Sequence, residues 1–165
     1  MAESVLSRIG CAAKMATIGA IKTVGDAGQA VLEASRDVLM TAVEGVADVT
    51  VAVEQSIVKV IRGAVHGAKD VGEDVGTTIK SAVRGTIKAA HEAGADVGVA
   101  AVAAVRGSVK AAEEVGADTG TALKHAVTGA IQAAEEIGQD TAQAVRDVLV
   151  KSVKGAKDII KSPLK

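Results

Sequence analysis

Apolar and polar residues follow a pattern along most of the chain that repeats every eleven residues. One version of the pattern returns every 22 residues, in Ile61-Arg62-Gly63, Val83-Arg84-Gly85, Val105-Arg106-Gly107 and Val127-Thr128-Gly129. A second version lies midway between these copies, in Gly72-Glu73-Asp74-Val75-Gly76, Gly94-Ala95-Asp96-Val97-Gly98 and Gly116-Ala117-Asp118-Thr119-Gly120. The repeating unit is therefore eleven residues long and occurs in two alternating versions.

Eleven residues complete three turns of a helix that has 3.67 residues per turn. When the unit is numbered from Ile61, its positions 1, 4, 5, 8 and 11 fall on one arc and hold mostly small or aliphatic residues. Positions 2, 3, 6, 9 and 10 fall on the opposite arc and hold nearly all the charged residues. This pattern predicts an amphipathic helix, held from Ile61 to Ile159, and it does not fit a strand.

The pattern predicts an all-α fold and leaves its arrangement open. Pro163 is the only proline, so nothing before it forbids one long helical rod. Each glycine inside a helix costs about 0.8–1 kcal/mol relative to alanine, so a lone helix with these glycines would be marginal in water. The long amphipathic helices therefore need a packing surface, in a helical hairpin, a small bundle or a right-handed coiled-coil assembly.

Three segments differ in how regularly they keep the repeat. Residues 1–56 form a less regular helical segment, residues 57–161 form the eleven-residue-repeat region, and residues 162–165 form a short basic tail. Within the first segment we expect a helix over 1–24, a turn at 25–28 and a resumed helical pattern over 31–49. The period slips at Val49 to Val53 and Glu54, which predicts a phase change or turn near residues 49–56, with a short strand as the lesser alternative.

The two versions of the unit place different side chains on the same arc. Bulky residues, here called knobs, occupy positions 1 and 5 of the first version: Ile61, Val65, Val83, Ile87, Val105, Val109, Val127 and Ile131. Glycines, here called notches, occupy those positions in the second version: Gly72, Gly76, Gly94, Gly98, Gly116 and Gly120. Glycines spaced by four residues allow another helix to approach closely, so the notches are predicted contact positions.

The charged arc is also ordered, with Lys and Arg along one edge and Asp and Glu along the other. Helices lying side by side could pair the acidic edge of one with the basic edge of the next. Exposed pairs contribute about 0–1 kcal/mol each, so they would select register and partner more than supply stability. A simply solvated face is the alternative.

Composition and spacing argue against several classes of site. The chain has no aromatic residue and a net charge of −1, so we expect neither an enzyme nor a nucleic-acid-binding protein. His66, His91 and His125 are too far apart on one helix to share a metal ion, and we expect no cofactor. Cys11 is the single cysteine, predicted to be buried, or else to join two chains by a disulfide.

The repeat resembles two groups of proteins over about residues 61–159. Thr141-Ala142-Gln143-Ala144-Val145-Arg146-Asp147 is similar to the eleven-residue units of group 3 late-embryogenesis-abundant proteins. The 22-residue period is similar to that of the lipid-binding helices of synucleins and exchangeable apolipoproteins. The first resemblance implies a desiccation protectant, and the second implies a protein that lies on lipid surfaces.

The sequence as a whole predicts a structural or self-assembling helical protein without a catalytic site. Its expected partner is a second copy or another helical protein. The alternatives are a protein that coats a lipid surface or granule, with the basic tail contacting an anionic membrane, and a stress protectant. The N-terminal residues lack the features of a signal peptide, so we expect a cytoplasmic location, peripheral to a membrane or granule in the lipid-binding case.

Overall fold

The computed structural model describes residues 2–23, 27–44 and 49–161, which form helices and the turns between them. Side-chain burial is described for residues 7–22, 28–44 and 53–161. The helices are α1 (Ala2–Thr23), α2 (Ala27–Val43), α3 (Val49–Asp70), α4 (Val75–Glu92), α5 (Val97–Glu114), α6 (Thr119–Ile137), α7 (Gln139–Ser152) and α8 (Ala156–Lys161). None of the described residues is in a strand, so the all-α prediction is confirmed.

The arrangement is a small bundle, and the single long rod is wrong. The helical pattern that begins at Ile61 is cut by turns at residues 71–74, 93–96 and 115–118. Gly72, Gly94 and Gly116 adopt φ angles of 75°, 79° and 74°, which a right-handed helix does not contain. These glycines end α3, α4 and α5, and the chain reverses at each of them.

Each of these turns is stabilised by backbone hydrogen bonds to the last turn of the preceding helix and by an aspartate side chain that caps the start of the next helix. In the first turn the Glu73 N–H donates to the Ala68 carbonyl at 2.8 Å, and the Gly72 N–H donates to the Lys69 carbonyl at 3.2 Å. This pair of bonds is a Schellman motif. Asp74 then accepts from the Thr77 N–H at 2.9 Å and caps the start of α4.

The other two turns repeat this arrangement 22 residues later in each case. The 6→1 bonds run from Ala95 to Ala90 and from Ala117 to Ala112, at 2.9 and 2.8 Å. Asp96 and Asp118 are the corresponding N-caps. The 22-residue unit is therefore an 18-residue helix followed by a short turn, as in α4 and α5.

The helices form two layers, with odd-numbered helices in one and even-numbered helices in the other. Each helix from α3 onward packs on the helix two before it in its own layer, and sequence neighbours pack against each other across the layers. For example, α3 lies against α1, α5, α2 and α4. At the ends of the stack, α1 lies against α2 and α3, and α8 lies against α6 and α7.

The apolar arc of the repeat lines the core between the layers. Seven knobs are fully buried: Ile61, Val65, Val83, Ile87, Val105, Val127 and Ile131. Val109 is partly buried. Val, Ile, Leu and Ala therefore build this core without an aromatic side chain, which small residues permit because they let helices pack closely.

The first segment differs in part from its prediction. Helix α1 matches the helix expected over 1–24, and α2 already begins at Ala27, inside the expected turn. Residues 49–56 are the first turns of the continuous helix α3, so neither a turn nor a strand occurs there, and the expected boundary at residue 56 falls inside this helix. Residues 24–26, 45–48 and the tail 162–165 lie outside the described residues.

Glycines at 22-residue intervals lie where each helix from α3 to α6 crosses the helix two before it: Gly63, Gly85, Gly107 and Gly129. A Cβ atom at Gly63 or Gly85 would overlap the carbonyl oxygen of Gly10 or Leu32, and one at Gly129 would lie 2.7 Å from that of Lys80. At Gly107 the nearest atom, Val58 Cα, would lie at 3.4 Å. We call these four residues the crossing glycines.

We expect Gly85→Ala to lower the free energy of unfolding by about 1–3 kcal/mol, because its methyl group forces α4 away from α2. This loss outweighs the gain of about 0.8–1 kcal/mol in helix propensity. Gly107→Ala is the matched control, since the same methyl group there meets ordinary van der Waals contacts. Urea unfolding of both variants measures the difference, and equal stabilisation of the two would contradict the close crossing at Gly85.

Candidate functional site

Ion pairs of one kind recur along the stack, in each of its two layers, and we call this series the ion ladder. In each pair a basic residue of one helix meets an acidic residue near the end of the helix two further on. The pairs are Lys14–Asp70 at 2.8 Å, Arg36–Glu92 at 2.6 Å, Arg62–Glu114 at 3.0 Å and Arg84–Glu136. Arg106 extends the series by donating to the backbone carbonyl of Ser152 at 2.8 Å.

The ladder follows from the same register that sets the helix crossings. Arg62 and Arg84 directly precede the crossing glycines Gly63 and Gly85. Their acidic partners, Glu114 and Glu136, are spaced by the same 22 residues. The predicted pairing of acidic with basic edges is confirmed for these residues, within one chain and between helices of one layer.

Two rungs of the ladder hold a second basic side chain. His66 Nε2 lies 3.0 Å from the same oxygen of Glu114 that accepts from Arg62, and Lys88 pairs with Glu136 beside Arg84. Partial burial by itself raises the pKa of Glu114, but hydrogen bonds from His66 and Arg62 outweigh it and leave this pKa below its ordinary value.

The pKa values of two other ladder residues, Glu136 and Glu92, are also lowered. Burial raises the pKa of Glu136, and the bonds from Lys88 and Arg84 outweigh it, so the net pKa is lowered. The Arg36 hydrogen bond lowers the pKa of Glu92, and Glu92 in turn raises the pKa of Arg36. In the folded chain the ladder therefore favours the charged forms of Glu92, Glu114, Glu136 and Arg36.

The structure brings only some of the predicted notches against another helix. Gly72, Gly94 and Gly116 lie in the turns, where an added Cβ atom would meet nothing within 4 Å. They end helices and are not contact positions within the chain.

Of the other three notches, two face a neighbouring helix. An added Cβ at Gly76 would lie 2.7 Å from the His125 ring, and one at Gly98 would lie 3.5 Å from Val148. At Gly120 it would meet the side chain of Asp118, from the same turn, at 3.4 Å.

The closest helix crossings use residues that the notch prediction overlooked. The crossing glycines belong to the first version of the unit and fall on its charged arc. Their signal in the sequence is the glycine that follows Arg62, Arg84 and Arg106 and returns as Gly129.

The histidines and the cysteine are dispersed over different helices. His66 belongs to the ladder, His91 is exposed at the end of α4, and the ring of His125 lies against Gly76. In the described part of the chain no three His, Cys, Asp or Glu residues are grouped as metal ligands. Cys11 is exposed, so its expected burial is wrong, because α1 presents this position to solvent at the end of the stack.

Comparison of the chain with protein-family models, with curated proteins and with solved structures finds no match. Among the described helices, none is both long enough and apolar enough to cross a membrane.

We expect the stability of the protein to fall as the pH drops below about 4.5, the ordinary pKa of Glu. The unfolded chain binds protons there while the ladder glutamates, with lowered pKa values, still resist protonation, so stability is lost as the pH falls through those values. Replacing Glu92, Glu114 and Glu136 together with Gln should reduce this loss, as measured by thermal melts from pH 7 to pH 3.

The control for this experiment replaces three exposed glutamates outside the ladder, Glu44, Glu54 and Glu113, with Gln. Its melting temperature should follow the acid dependence of the parent chain. If the control flattens the pH dependence as much as the ladder variant does, the ladder is not the source of the acid sensitivity.

Proposed function

We propose that this chain is a non-catalytic structural protein, a helical-repeat scaffold that self-assembles. The supporting observation is that one 22-residue unit carries both a helix crossing and a rung of the ion ladder. Gly85 and Arg84 illustrate this, since one contacts the backbone of α2 and the other pairs with Glu136 of α6. Repeats of this kind stabilise one another through the interfaces between neighbouring repeats.

The distribution of apolar side chains favours this function over coating a lipid surface. Met15, Val99 and Val150 are the large hydrophobic side chains that are exposed in the described part of the chain. The arc that would insert into lipid lines the core instead, so lipid binding would require the stack to open. Interfacial helices normally present a continuous apolar face.

Self-assembly is supported by the way the stack ends. An inner helix such as α3 is covered on both sides within its layer, by α1 and α5, whereas α1 has a neighbour only on the side of α3. Terminal repeats need either a polar outer surface or a partner, because an inner repeat face is apolar. A second copy of the chain, or another helical protein, is the partner that we propose.

We expect the protein to be helical and oligomeric in buffer alone. Circular dichroism with and without anionic vesicles, together with sedimentation velocity over a range of concentrations, tests this expectation. Vesicles of zwitterionic lipid are the control for the anionic ones. Helix that forms only with anionic vesicles would favour the lipid-surface function, helix that forms only on drying would favour a protectant, and a helical monomer at every concentration would contradict self-assembly.

A further inference from the structure

An apolar groove opens on the outer side of the first two helices, and we call this surface the end face. The groove has a volume of about 360 Å³ and lies between α1 and α2. Ile9, Ala12, Val38 and Ala42 form its apolar lining, and the charged residues Arg8 and Asp37 also line it. These apolar residues belong to the core of the stack or pack against it, apart from the exposed Ala12.

The end face corresponds to a surface that is covered at the inner helices. Arg36 and Arg84 occupy the same place in the ladder, so Val38 and Ala42 of α2 correspond to Thr86 and Ala90 of α4. Thr86 and Ala90 are fully buried, whereas Val38 and Ala42 are only partly buried. The groove is therefore an uncovered copy of an interface that the chain itself builds further along.

The two charged residues stand where the inner helices have small buried residues. Asp37 follows Arg36 as Gly85 follows Arg84, and its side chain is 71% exposed. Lys14 of α1 and Arg84 of α4 occupy the same place in the ladder, so Arg8 corresponds to Thr78 of α4, which is buried. A further helix packed on α2 as α2 packs on α4 would press its backbone onto Asp37, so head-to-tail continuation of the stack is blocked at this end.

The acidic residue of the end face, Asp37, pairs with Arg36 of its own chain at 3.2 Å, and its exposed side chain leaves room for a second basic partner. The end face has an apolar lining, one basic residue and one acidic residue. In a dimer with a two-fold axis, the same surface of both copies forms the interface, so a contact between two different residues occurs twice. We propose that a second copy of this chain covers the end face, with Arg8 of each copy paired with Asp37 of the other. This inference rests on the proposed function and names its interface and its stoichiometry, a closed dimer.

Charge reversal tests the pairing. Arg8→Glu or Asp37→Arg alone creates two like-charge contacts in each dimer, so the dissociation constant should rise at least about tenfold. The double variant, Arg8→Glu with Asp37→Arg, restores both contacts with the charges exchanged and should return to within about threefold of the parent value. Sedimentation velocity measures the dissociation constants, and circular dichroism melts verify that each variant is folded.

Two exposed residues away from the end face supply the matched controls, Lys124→Glu in α6 and Asp147→Arg in α7. Each carries the same change of charge and should leave the dissociation constant unchanged. An oligomer whose mass is unaffected by Arg8→Glu and Asp37→Arg would overturn this interface and leave self-assembly standing. A mass that grows without limit would overturn the closed dimer, and a monomeric parent chain would overturn both proposals.

Discussion

The close approach of backbones at the crossing glycines is the constraint on which the rest of the structure depends. At Gly85 the surface of α4 meets the carbonyl of Leu32 in α2, with no room for a side chain between them. Such proximity lets Val, Ile and Ala fill the core without aromatic residues, because the helices leave little space between them. At Gly63, Gly85 and Gly129 it also fixes the axial register of the two helices, since a shift of one helix along the other would bring a side chain to the place that the glycine occupies.

The ion ladder depends on that register. Arg84 precedes Gly85 by one residue, so both lie on the same turn of α4. This turn sets where α4 crosses α2, and it also places Arg84 beside Glu136 of α6. Exposed pairs contribute little free energy, and the ladder residues are only partly shielded from solvent. The pairs therefore discriminate against wrong registers, in which like charges would meet, more than they hold the helices together.

Periodicity predicted the helices, their buried arc and the pairing of the charged edges, but not where the helices end. A unit of 22 residues fits six turns of a continuous helix, and it equally fits one helix plus a short turn, as from Val75 to Asp96. What separates the two is local: a glycine that accepts a positive φ, followed two residues later by an aspartate cap. Gly72-Glu73-Asp74 carries this signal, but its regular recurrence also fits a continuous helical pattern.

The same ambiguity explains why the pattern predicts close packing at the notch glycines and does not predict it at the crossing glycines. Once the chain folds back at Gly72 and Gly94, the surface that faces another helix is no longer one arc of a single cylinder. Each inner helix is covered on several sides, so a position on the nominally charged arc, such as Gly107, can lie against a backbone. A helix of a single rod needs to bury only one arc of its surface, whereas an inner helix of this stack buries more of its circumference. Glycines lie where two helices come closest within this additional buried surface.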